Sequence, residues 1–100
     1  MSNNSVFKEA VKKYLPILEQ YVPVVARVHG NSHQEFHDIV KEFNNIKSKI
    51  KENGPETADL KDEFTKLRTI SNNYTVPGDV CESYQAVFQM LSYLDDIYYS

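Results

Sequence analysis

All the imidazole in this 100-residue chain lies at one spacing, with His29, His33 and His37 at i, i+4 and i+8. Imidazole binds first-row metals, transfers protons near neutral pH and relays hydrogen bonds. On one unbroken helix, this spacing would stack the three rings along one side. Gly30-Asn31-Ser32 reads instead as a helix stop followed by a fresh start, with Ser32 and Glu35 in the S-x-x-E register of a capping box. The rings then surround a helical corner, one at the end of the first helix and two in the opening turns of the second. Glu35 and Asp38 share the stretch, and imidazole with carboxylate suits iron or zinc. The corner could hold a metal through His29, His33, His37 and Glu35, or it could be only a hydrogen-bond network. His29 follows Val25 by one helical turn and could simply pack at the bundle end, with His33 and His37 turned to solvent. A homodimer in which two such corners meet would double the number of ligands.

Cys81 is the only cysteine. It has no internal disulfide partner and suits a reducing, cytoplasmic setting. Its place on an apolar stripe predicts a buried small hydrophobe. It also falls in the first turn of a helix, where an exposed thiol would be favoured as thiolate. Tyr93, Tyr98 and Tyr99 cluster near the last residues; they cover the bundle end or, standing out together, mark a surface for a protein partner.

The elements that must position these groups are set by apolar periodicity. Phe7, Val11, Tyr14, Leu18, Tyr21, Val25 and Val28 recur at steps of three and four and predict a helix over 5–29, bent or restarted at Pro16 and Pro23. Phe36, Ile39, Val40, Phe43, Ile46 and Ile50 predict a second helix over 32–53, closed by Asn53-Gly54-Pro55. Leu60, Phe64, Leu67 and Ile70 mark a third over 57–72, capped near Thr57 and ended by Asn72-Asn73. After a Pro77-Gly78 turn, Asp79 and Glu82 form a second capping register for a helix over 79–98. No segment alternates with the period of a strand. The expected fold is all-α, a three- or four-helix antiparallel bundle forming one domain over 1–100.

A formal charge of −3 with mixed signs offers no basic field for nucleic acid or anionic membrane. The opening residues do not read as a signal peptide, and no stretch is apolar enough for a membrane span. Glycine-rich phosphate loops, nucleophile elbows, C-x-x-C pairs and H-E-x-x-H are all missing, so no reaction is assigned.

Two segments nevertheless carry a resemblance. Leu15-Pro16, then Val25-Ala26-Arg27-Val28-His29-Gly30 and His33-x-Glu35, is similar to the L-P…K-V-x-x-V-H-G-x-x-H-P-E segment of the hemerythrin-like di-iron proteins that repair iron–sulfur clusters. Leu67 to Pro77, with Val80-Cys81-Glu82-Ser83-Tyr84 and Leu91 to Asp96, resembles that family's L-R-x-L-T-N-N-Y-T-P-P-x-x-A-C-x-T-Y-x-x-L-Y-x-x-L-x-E-L-E stretch. The resemblance implies a hemerythrin-like bundle and a stress-linked role in repairing iron–sulfur clusters. The family's ligands do not carry over: its first-helix histidine pair falls on Phe7-Lys8, and a later histidine and bridging glutamate fall on Asn53 and Thr57. The H-x-H-x-E-N segment expected after Asp96-Ile97 is not found before Ser100. His29 matches a ligand position, with His33 as the H-P-E histidine. The chain thus reads as a shortened member without most metal ligands, an accessory or binding module whose cofactor is either none or iron at the histidine corner.

Overall fold

The computed structural model describes residues 3–100. Four helices succeed one another: α1 (Asn3–His29), α2 (Glu35–Asn53), α3 (Lys61–Ser71) and α4 (Glu82–Tyr98), and no strand occurs among the described residues. The 27 residues of α1 rise about 40 Å at roughly 1.5 Å each, and the molecule measures 41 × 22 × 22 Å. One helix therefore runs its whole length. It does not restart at Pro16 or Pro23. Both prolines are exposed, as are Lys12 and Glu19 four residues back, so water can satisfy the carbonyls whose amide donors the prolines remove.

Side-chain pairs set the helix directions. Phe7 meets Tyr98, Tyr14 meets Tyr93 and His29 meets Tyr84, at ring separations of 5.4, 5.3 and 5.6 Å, so α4 runs antiparallel along α1. The Glu19–Lys47 pair at 3.8 Å brings α2 back beside α1, and the Lys8–Glu56 contact at 4.0 Å ties the connection after α2 to α1. Lys49 Nζ lies 2.9 Å from a Glu63 oxygen, joining α2 to α3. Between the helices Leu18, Phe36, Phe43, Phe64, Leu67, Tyr84, Phe88 and Leu91 are buried, and each such side chain contributes on the order of 2 kcal/mol of transfer free energy.

The α1 stripe differs in detail from its prediction. Phe7, Val11, Leu18 and Val25 are buried, but Val22 takes the place expected for Tyr21, and Tyr21 and Val28 are exposed. Residues three and four beyond Leu18 are equally good continuations of a 3.6-residue period, and the packed neighbours select the second. α2 ends as expected, with Gly54 at φ 80° donating its N–H to the Ile50 carbonyl at 2.7 Å. α3 begins later than predicted, at Lys61. Thr57 does not cap it; its hydroxyl donates to the Asn53 carbonyl, while Ala58 and Leu60 bury themselves and tie the connection to the core.

Neither predicted capping box forms. α2 starts at Glu35 with Gln34 in the cap position, α4 starts at Glu82 behind Cys81, and neither cap residue makes a side-chain capping bond. The reason is common to both. Glu35 and Asp79, an acidic member of each register, are both taken by His33.

Candidate functional site

The corner is built from three parts of the chain. α1 delivers His29 at its last residue, the tight connection 30–34 carries His33 to the mouth of α2, and the 72–81 loop returns from α3 to place Asp79 and Cys81 opposite them. Gly30 must be small here: a Cβ on it would stand 2.8 Å from two atoms of the His37 ring and closer still to the Ala26 carbonyl oxygen. His37 therefore rests against the connection rather than beside the other two histidines.

Two pairings cross the corner. His29 Nε2 lies 3.0 Å from Cys81 Sγ, joining the end of α1 to the start of α4. His33 Nδ1 lies 3.0 Å from Glu35 Oε2, and its Nε2 lies 3.0 Å from Asp79 Oδ1. An imidazole can donate from both nitrogens only as the cation. Partial burial works against that charge, but the hydrogen bonds to Glu35 and Asp79 outweigh it and raise the His33 pKa above its ordinary 6.5.

Tyr84 is the floor beneath both histidines. Fully buried, it presents its ring edge-to-face to His29 and to His33, each at 5.6 Å between centroids. Its hydroxyl reaches to 3.5 Å of Glu35 Oε2. Burial first, and then the Glu35 carboxylate, push the phenol up to about 12, so it remains a neutral donor. A cavity of about 260 Å³ opens beside Tyr84, with Glu35, Ser71, Thr75 and Phe88 among its walls.

The returning loop is held from below. Asn72, Asn73 and Tyr74 have φ of 54°, 59° and 60°, a left-handed run that costs on the order of 1 kcal/mol per residue outside glycine. Hydrogen bonds compensate. The Asn73 N–H donates to the Arg68 carbonyl at 2.8 Å, the Tyr74 N–H to Ser71 Oγ at 2.7 Å, and the Tyr74 hydroxyl to Asp95 Oδ2 at 2.7 Å. Asp95 is buried and also receives the Arg68 guanidinium on both oxygens, through Nε at 2.9 Å and through Nη2. Burial and the Asp95 bond raise the Tyr74 pKa, which keeps its hydroxyl protonated and donating.

Cys81 is not the buried hydrophobe its stripe position predicted. It is exposed and sits at the cap position of α4, with its sulfur turned to His29. The stripe proper begins at Tyr84, because α4 starts one turn later than expected. Of the four candidate metal ligands, His29, His33 and Glu35 do meet at the corner, while His37 does not join them. Among the described residues, no three His, Cys, Asp or Glu side chains are arranged to hold a metal ion. Asp79 and Tyr84 are members of the site that residue type and spacing did not single out, since they stand 46 and 49 residues from their partners.

The di-iron centre that the resemblance implies does not fit the donors present. Phe7 is buried against Tyr98 in the core, and Thr57 is bonded to Asn53 at the same end of the bundle. Position 7 lies about 33 Å along α1 from position 29, so no single centre could draw on both.

Comparison with protein-family models, with curated proteins and with solved structures returned no match to the chain. No helix among the described residues is long and apolar enough to cross a membrane.

Proposed function

We propose that this chain is a hemerythrin-like relative of the iron–sulfur cluster repair proteins that works as a stress-linked accessory or binding module, without a complete di-iron site. One observation carries the reading. The two separate segments that resemble the family, 25–35 and 67–84, fold against each other at a single corner through His29–Cys81, His33–Asp79 and Tyr84–Glu35. The order of four antiparallel helices supports the same reading, and the positions where family ligands would stand are taken by core packing and a loop hydrogen bond.

The test is elemental analysis of protein purified anaerobically. Less than stoichiometric iron is the expected result, and two irons per chain would defeat the proposal. One iron or zinc per chain, lost in His29→Ala, would replace it with a mononuclear site at the histidine corner.

A further inference from the structure

We propose that Cys81, with His29 as its proton acceptor, is a nucleophilic thiol that exchanges with small disulfides, favouring cationic and neutral ones over anionic ones. The pairing has the features that activate such a group. A nucleophile needs a base within hydrogen-bond reach and a third group that orients the base. Sγ and Nε2 are 3.0 Å apart, and the His29 ring is seated edge-to-face on the buried ring of Tyr84. The thiol and the base come from different helices, 52 residues apart in sequence, so only the assembled bundle creates the pair. Cys81 is exposed and makes no capping bond at the start of the 17-residue α4, so a reagent in solution can reach its sulfur.

The step balances without an outside oxidant or reductant. The thiol proton passes to His29 Nε2 and the sulfur attacks one sulfur of R–S–S–R. That S–S bond breaks, Cys81–S–S–R forms, and the departing sulfur takes the proton from His29 and leaves as RSH. One thiol and one disulfide give one disulfide and one thiol. Selectivity comes from the net charge of the corner. Glu82 follows Cys81 directly, Asp79 stands two residues before it, and the two carboxylates on His33 outnumber its one positive charge. An anionic reagent therefore meets carboxylates, whereas a cationic one is drawn in.

The reaction needs only this pair, so it does not depend on kinship with the repair proteins. It is tested by the rates of folded chain with neutral dithiodipyridine, cationic cystamine and the anionic aromatic disulfide of nitrobenzoate, each divided by the rate of the same chain in concentrated urea. For the neutral reagent, the folded chain should react faster by about threefold to tenfold, because only the folded chain holds a base within reach of the thiol. The normalised rate should rank cystamine above the anionic reagent, with the gap closing as salt is added. His29→Ala and His29→Gln should remove the folded-state advantage, and Cys81→Ser should give no mixed disulfide by mass. A folded rate no higher than the unfolded one overturns the proposal, as do His29 variants that keep helical circular dichroism and full reactivity. A reversed charge order overturns its selectivity. Should both His29 variants lose their helices, the folded-to-unfolded ratio of the unaltered chain decides alone.

Discussion

The two ends of the bundle use the same helices in opposite ways. At one end Phe7, Ala58, Leu60 and Phe64 are buried, with Tyr98 set against Phe7 and Phe64 at 5.4 and 5.3 Å. Some polar groups there serve the packing: the Tyr98 hydroxyl accepts the Leu60 N–H at 2.9 Å, and the Arg68 guanidinium lies 4.7 Å over the Tyr99 ring. At the other end the partners are imidazole, thiol and carboxylate, and the Asp79 side chain is 72% exposed. Ion pairs that remain hydrated contribute little to stability, so the corner is held by the scaffold more than it holds it. The apolar end stabilises the fold, and the polar contacts of the other end add little to it.

That contrast is open to breakage, beginning with the largest effect. Phe64→Ala removes a fully buried ring from the apolar end and should cost about 3–5 kcal/mol in urea unfolding; a cost near that of a surface change would mean this end is not the keystone. Asp95→Ala lies between the two ends and should cost about 2–3 kcal/mol, because it orphans the Tyr74 hydroxyl and the Arg68 guanidinium together. Arg68 is partly exposed and can be rehydrated, which keeps the figure below that of a fully buried pair. A thermal midpoint unchanged by Asp95→Ala would show that the left-handed run at 72–74 does not need the network.

The smallest effect is at the corner. The His33 pKa is raised in the folded chain, so folding favours its protonated form. The contribution to stability is whole below the ordinary value of 6.5 and fades as pH climbs through the raised value. Unfolding midpoints should therefore fall slightly from about pH 6 to about pH 8, and His33→Gln should flatten that part of the slope. A slope that His33→Gln leaves intact would place the titrating group elsewhere.

Much of the fold was legible because burial leaves a periodic trace. The stripes through Phe36 to Ile50, Leu60 to Ile70 and Tyr84 to Leu94 run through the helices that form. The stops at Gly54 and Asn72 were readable from the few residues that tolerate positive φ. The starts of α2 and α4 were misplaced for one identifiable reason. A capping side chain is read locally, but Glu35 and Asp79 had a better partner in His33, and nothing near Asp79 in sequence announces a histidine 46 residues away. The histidine corner was found in the sequence, yet its membership was only partly right: His37 leaves it, while Asp79, Cys81 and Tyr84 enter.

By itself, the sequence determined that the chain is helical, where the helices turn and which faces are apolar, because period and turn chemistry are properties of neighbouring residues. Only the tertiary structure decided that His29 meets a thiol and that His33 is shared by two carboxylates. Those contacts depend on how the 72–81 loop returns over the end of α1, which the Tyr74–Asp95 bond helps to hold and which no local motif announces.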